Sequence, residues 1–257
     1  METTNILEDI KAKIIPEKDG HTVFIYIKDF LTKEESSVYQ KWLNEMEDFK
    51  DNMNYNKTRL IRQQKWYQME NEYFCPEWEK RYDRWRSHKY TKPLSDLQNK
   101  IQKLINNIVK NLFLTKNISI QNPNINSCLF NKYRDGGDRI RAHRDTDKSF
   151  GEKPTIVGLS LGAEREIKFV RIMNTLNDKN IHIYKRDKEN KHLNFKQKLE
   201  DGSIFIMAGC SQKYFTHEIP QSSSKDKRYS ATFREWQKIK LLENKTFRKS
   251  FKSKIDF

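Results

Sequence analysis

Residues 228–234 read Arg-Tyr-Ser-Ala-Thr-Phe-Arg, RYSATFR, with polar and apolar residues in strict alternation. Side chains on a strand project to opposite faces in turn. Arg228, Ser230, Thr232 and Arg234 therefore share one face, and Tyr229, Ala231 and Phe233 the other. The apolar face suits a core. The other face is harder to place, because guanidinium groups pointing into a protein are costly unless they meet an anion. Either it is an outward polar edge, or it lines a cavity for an acidic ligand that a guanidinium can grip with two hydrogen bonds, such as a dicarboxylate.

The same grammar runs upstream to about residue 125. Strands are expected at 127–133, 155–162, 166–172, 181–186, 203–209, 213–219 and 228–236. Turn-forming residues separate them at Asp135-Gly136-Gly137, 151–154, 187–190 and Asp201-Gly202. Many short strands at this spacing imply a sandwich or barrel, jelly rolls among them. Before residue 125 the period lengthens. A helix is expected over 34–47, and a second carries Leu94, Leu97, Ile101, Leu104, Ile105, Ile108, Val109 and Leu112 as one apolar stripe. Pro93 and Ser95 are its start signals, and the stripe should pack against a sheet.

Between these regions, residues 55–90 interleave Trp66, Tyr67, Tyr73, Phe74, Trp78, Tyr82, Trp85 and Tyr90 with arginines. Aromatic faces stack on bases and guanidinium groups meet phosphates, so this stretch could contact nucleic acid. It could equally be a loop-rich cover whose aromatics pack. The expected organisation is an N-terminal extension with one helix over 1–54, a main domain over 55–237 and a basic tail over 238–257.

A chain of 257 residues can bury a substantial core as one large domain. No apolar run approaches the ~20 residues of a membrane span, and METTNILEDIKAK lacks the basic-then-apolar order of a signal peptide. Cys75, Cys128 and Cys210 are odd in number and form no C-x-x-C pair, pointing to a reducing intracellular setting, cytoplasmic or nuclear. Lys and Arg total 50 against 35 Asp and Glu, a net charge of +15. That surplus attracts polyanions, so nucleic acid is the expected partner of a monomeric protein; the alternative is a lysine-rich bias that only solvates the surface.

Upstream of RYSATFR lies Arg141–Asp147, RAHRDTD, after an expected strand and a Gly-Gly turn. His217 stands in the later strand KYFTHEI. Two histidines and one carboxylate on one side of a metal leave the opposite positions open. Such a set fits non-haem Fe(II) better than structural zinc, which takes four protein ligands. His21, His88, His182 and His192 lack an acid in a matching strand context.

Taken in order, four stretches resemble the AlkB family of Fe(II)- and 2-oxoglutarate-dependent dioxygenases over about residues 55–237. Asn131–Asp138 is similar to N-x-Y-x-x-G-x-D, His143-Arg144-Asp145 with Asp147 to H-x-D-x-[DE], His217 closes the triad, and RYSATFR is similar to R-x-N-x-T-F-R. The resemblance implies an α+β, mainly β fold: a double-stranded β-helix (jelly roll) at about 125–237, N-terminal helices packed on it, and a nucleotide-recognition lid at about 55–90. It implies that His143, Asp145 and His217 hold Fe(II), and that Asn131, Tyr133, Arg228 and Arg234 hold 2-oxoglutarate with Thr232 lining the pocket. Ser230 stands where the family has Asn. Asp147 would face the substrate base. Ile61–Tyr67 resembles the P-R-x-Q-x-x-Y stretch of the DNA-repair branch, which makes Arg62, Gln64 and Tyr67 substrate contacts, with Trp66 among the stacking aromatics. The apolar finger of that branch has no clear counterpart at Met53-Asn54-Tyr55.

The implied activity consumes O2 and 2-oxoglutarate and removes N-alkyl groups from bases of the 1-methyladenine and 3-methylcytosine type. The alternatives are an RNA demethylase, an oxygenase acting on protein or a small molecule, and a non-catalytic nucleic-acid-binding module. A jelly roll for another metal is opposed by the paired arginines.

Overall fold

The computed structural model describes residues 11–46, 49, 61–75, 79, 85–176 and 182–237. A seven-stranded antiparallel sheet is its backbone, in the order β1-β2-β10-β6-β12-β4-β3. Its strands are β1 (Lys11–Glu17), β2 (Gly20–Ile27), β3 (Gln63–Gln68), β4 (Ser127–Tyr133), β6 (Ile156–Gly162), β10 (Ile204–Gly209) and β12 (Arg228–Arg234). A minor sheet joins β5 (Ile140–His143), β11 (Phe215–Ile219), β7 (Arg165–Leu176) and β8 (His182–Arg186), and β9 (Phe195–Leu199) also pairs with β7. This is the jelly roll, mainly β with few helices.

Alternation explains the layering. Val23, Ile25, Val157, Leu159, Ile204, Ile206, Tyr229, Ala231, Phe233, Cys128 and Phe130 point to one side of the major sheet. There they meet α1 (Lys33–Glu45) and the stripe of α2 (Lys92–Lys116), whose Leu94, Leu97, Ile101, Ile105 and Ile108 are buried. A capping box starts α1: Thr32 Oγ1 accepts from the Glu35 amide at 3.2 Å and Glu35 accepts from the Thr32 amide at 3.0 Å. Asn117 ends α2 in the left-handed conformation, at φ 53°.

The other side of the major sheet changes character along the strand order. At the β2–β10 end, Phe24, Tyr26, Phe205 and Met207 form an aromatic core with Phe169 and Phe215 of the minor sheet. At the β6–β12–β4 end the same side carries Ser160, Arg228, Ser230, Asn131 and Arg234, all buried. A polar interior at one end of a sandwich is where a ligand belongs.

The seven expected strands correspond to β4, β6, β7, β8, β10, β11 and β12. Within the expected extension over 1–54, residues 11–27 belong to the major sheet. They form a hairpin, and β2 pairs with both β1 and β10, inside the sheet. Arg171 of β7 locks this hairpin by gripping both oxygens of Glu17 at 2.5 and 2.7 Å. Residues 55–60, 76–78 and 80–84 of the expected lid, and the basic tail 238–257, lie outside the described residues, as do Tyr55, Trp78 and Tyr82. No helix among the described residues is long and apolar enough to cross a membrane. Cys75, Cys128 and Cys210 are all buried.

Candidate active site

Strand β11 pairs with β5 in the register that sets His217 opposite His143. Their imidazoles face each other with ring centroids 4.3 Å apart. The chain leaves β5 after His143 and brings Asp145 back: its Oδ1 lies 3.7 Å from His143 Nε2 and 4.0 Å from His217 Nε2. One ligand atom from each of the three lies within 4.8 Å of the others.

Several contacts hold this arrangement. His143 Nδ1 sits 2.9 Å from the Arg141 carbonyl, which places the proton there and turns the Nε2 lone pair to the centre. The second oxygen of Asp145 accepts from Arg234 Nε at 2.8 Å and faces its Nη2 at 2.7 Å. Gln212 Oε1 accepts from the Asp145 amide at 2.9 Å, and the Gln212 carbonyl accepts from Arg144 Nη1 at 2.9 Å. Arg144 in turn stacks 3.8 Å above the Tyr184 ring.

Burial, then the neighbouring His143, pushes His217 down to about 3, and burial lowers His143 as well. Burial opposes ionisation of Asp145, yet the Arg234 guanidinium holds its carboxyl below the usual range. Two neutral imidazoles and a carboxylate are the protonation states that ligate a divalent cation. The donor set fits Fe(II) on chemical grounds.

Beside this centre, β12 runs between β4 and β6, with Arg228 opposite Tyr133 and Gly162, and Ser230 opposite Asn131 and Ser160. The RYSATFR polar face therefore points inward. Arg228 is 2% exposed and donates through Nη2 to Ser160 Oγ at 2.9 Å. Its Nε and Nη1 are buried without a hydrogen-bond partner. A buried guanidinium so poorly satisfied calls for an anion. The pocket thus fits an acidic cosubstrate, with the Tyr133 ring 4.9 Å from the guanidinium centre and Thr232 half-buried on the same face of the strand. Arg234 differs, because Asp145 already takes it. Asn131 is engaged too: its Oδ1 accepts from Arg62 Nε at 2.9 Å and Gln64 Nε2 at 3.1 Å, and its Nδ2 donates to Ser230 Oγ at 3.3 Å.

The family model of the 2OG-Fe(II) oxygenase superfamily matches residues 23–239. The chain belongs to this superfamily. Within it the chain is AlkB-like, and membership brings Fe(II), 2-oxoglutarate and O2 as the reaction's cofactor and cosubstrates. A stretch of 110 residues is 32% identical to the alpha-ketoglutarate-dependent dioxygenase alkB homolog 3 of Rattus norvegicus, covering 42% of this chain and 35% of that one. The Homo sapiens alkB homolog 3 is 31% identical over 110 residues, 42% of this chain and 36% of its own. The Arabidopsis thaliana DNA oxidative demethylase ALKBH2 is 25% identical over 116 residues, 42% of this chain and 37% of its own. Each match thus spans little more than a third of the relative. The solved structure of OsALKBH1 superposes with a TM-score of 0.57 at 15% identity, over 87% of this chain and all (100%) of that one; this likeness is one of fold.

In this AlkB-like oxygenase, strand parity sorts Arg62 and the residues of β3 that follow it. Arg62 and Gln64 lie on the pocket side, tied to Asn131. Trp66 shares that side but is 0% exposed, packed edge-on to Phe74 at 5.0 Å and clustered with Leu129, Phe150 and Trp236. The expectation that it stacks on a base is corrected: Trp66 is a core residue with no face open to a base. We predict that Trp66→Ala lowers the unfolding free energy by about 3–5 kcal/mol, measured by urea denaturation. Tyr67 is also corrected. Its odd position turns it to the helix side, 5.7 Å from Phe130 and 6.3 Å from Tyr90, with its hydroxyl 3.7 Å from Met46 Sδ. Asp147 is exposed at the start of α3 (Asp147–Phe150), two residues beyond Asp145.

The remaining motif residues shape the loop after Tyr133. Asp138 accepts from the Arg134 amide at 2.9 Å and from its Nε at 2.8 Å. A Cβ on Gly136 would lie 2.1 Å from the Ser222 carbonyl oxygen, so only glycine lets the β11–β12 connection approach. Sequence reasoning missed Gln212. It lies in α4 (Ser211–Tyr214), and its part depends on two contacts that no sequence pattern carries.

Proposed function

We propose that this AlkB-like oxygenase demethylates N-alkylated bases of nucleic acid, of the 1-methyladenine and 3-methylcytosine type, while 2-oxoglutarate is decarboxylated to succinate. The observation that carries the reading is the convergence of His143, Asp145 and His217 beside the half-satisfied buried guanidinium of Arg228. The nucleic-acid substrate is supported by the DNA oxidative demethylase among the relatives and by the net charge of +15.

His143, Asp145 and His217 hold the iron, which when bound supplies the activation of O2 and the oxidation of the N-methyl carbon. Arg234 fixes Asp145 so that Oδ1 faces the histidines. Arg228 anchors the distal carboxylate of 2-oxoglutarate, with Tyr133, Asn131 and Thr232 around it. The fully buried Trp66 and its aromatic neighbours keep water from this side of the pocket. Arg62 and Gln64 lie on the same side and reach the substrate. Asp147 accepts a hydrogen bond from an exocyclic amino group or favours a cationic methylated base. A base inside a duplex cannot reach the centre, so it enters flipped out or from a single strand. Affinity from the basic surface should fall steeply with salt.

The test supplies Fe(II), 2-oxoglutarate and ascorbate with single- and double-stranded DNA and RNA oligonucleotides carrying 1-methyladenine or 3-methylcytosine. Formaldehyde in step with succinate from at least one oligonucleotide is expected. Succinate without formaldehyde from any of them would move the substrate elsewhere; neither product would refute the enzymatic reading.

A further inference from the structure

Arg165 opens β7 and has no part in the site as described. It is 3% exposed, and its Nη1 donates to the Asp135 carbonyl at 3.3 Å and its Nη2 to the Asp138 carbonyl at 2.8 Å and to that of Pro220. These acceptors are neutral. Its Nε is buried without a hydrogen-bond partner, and no carboxylate among the described residues forms an ion pair with it, although those of Asp138 and Asp135 favour its charge. Asp138 is itself paired with Arg134 at 2.6 Å.

The guanidinium centre of Arg165 lies 5.5 Å from the Tyr133 ring, and that of Arg228 lies 4.9 Å from the same ring. Burial works against the charge of Arg228, the Tyr133 side chain favours it, and Arg165 works against it again. Two buried cations facing one ring, neither in an ion pair with a carboxylate, are a poor arrangement for an empty pocket and a good one for a dianion.

We propose that Arg165 is a positioning residue for the cosubstrate: its charge, acting past Tyr133 and without contact, makes the pocket prefer a dicarboxylate to a monocarboxylic 2-oxo acid. The inference rests on the reading that Arg228 receives 2-oxoglutarate. The rival role for Arg165 is a clamp, joining the 135–138 loop to Pro220 through its hydrogen bonds. Charge separates the two roles, because lysine keeps the charge and glutamine keeps donors without it.

The experiment uses the full chain loaded with Mn(II) in place of Fe(II), so that binding is read without turnover. Calorimetry gives the Kd of 2-oxoglutarate and of 2-oxobutanoate for wild type, Arg165→Lys and Arg165→Gln, with thermal midpoints for each. Expected is a rise of about tenfold in the 2-oxoglutarate Kd for Arg165→Gln, a much smaller change for 2-oxobutanoate, and near wild-type preference for Arg165→Lys. The midpoint of Arg165→Gln without ligand should hold or rise, while the shift produced by 2-oxoglutarate shrinks. Equal losses for both acids in both variants, with lower midpoints, would make Arg165 a clamp and overturn the proposal. Wild-type discrimination in Arg165→Gln would overturn it too. Should Arg165→Gln fail to fold, a loss of preference in Arg165→Lys overturns the proposal and its retention supports it. Failure of the wild type to bind 2-oxoglutarate would strike the cosubstrate site itself, a result distinct from any of these.

Discussion

Asp145→Ala is expected to abolish succinate formation and to strip the chain of tightly held iron. The carboxylate is the one anionic ligand between two neutral imidazoles, so removing it leaves two nitrogens and no charge to balance the metal. A second effect follows from Arg234, whose Nε and Nη2 both reach Asp145. Truncation leaves that guanidinium buried and unpaired, a loss of about 3–5 kcal/mol in the metal-free protein. Asp145→Asn separates the two effects. It keeps an acceptor for Arg234 and loses the anionic ligand, so it should be markedly more stable than Asp145→Ala and equally inactive. Metal analysis, succinate assay and urea denaturation measure the three quantities. Succinate release at the wild-type rate from either variant would place the metal centre elsewhere.

Arg228→Ala should raise the 2-oxoglutarate requirement by about 30-fold to a few thousand-fold, the equivalent of ~2–5 kcal/mol for a buried charge pair cut at one partner. Its effect on the unliganded protein runs the other way from that of Asp145→Ala. Arg228 donates to Ser160, has the Tyr133 side chain beside it, and leaves Nε and Nη1 without a hydrogen-bond partner in the interior. Removing a buried charge that has no anionic partner relieves desolvation, which offsets the cavity left behind. The thermal midpoint without ligand should therefore change little, while the stabilisation produced by added 2-oxoglutarate disappears. Succinate formation against cosubstrate concentration reads the first effect and thermal scans the second. An unchanged dependence on 2-oxoglutarate would remove Arg228 from the cosubstrate site.

Both predictions draw on residues that the sequence already singles out, and the reason is local. Alternation in RYSATFR reports which side chains share a face, whatever the rest of the chain does. The α2 stripe, from Leu94 to Leu112, reports its buried side in the same way. The ordered spacing of His143, Asp145 and His217 carries the ligand types. Other features left no such trace. In GHTVFIYI of β2, one face meets the helices and the other the aromatic core; with both sides apolar there is no alternation to read. Strand β5 has four residues, with two of its side chains exposed, too few to show a period. Tyr67 matched a sequence pattern, yet parity within β3 carried it to the helix side.

The sequence by itself determined the donor types of the candidate centre, the strands that bear most of them, and the polar face of β12. Tertiary structure alone decided that His143 meets His217, that Asp145 is held by Arg234 and Gln212, and that Arg165 and Arg228 face one tyrosine. These are register and packing relations between segments far apart in the chain. A strand's own period determines which face a residue occupies, while only the pairing of strands determines what stands opposite it.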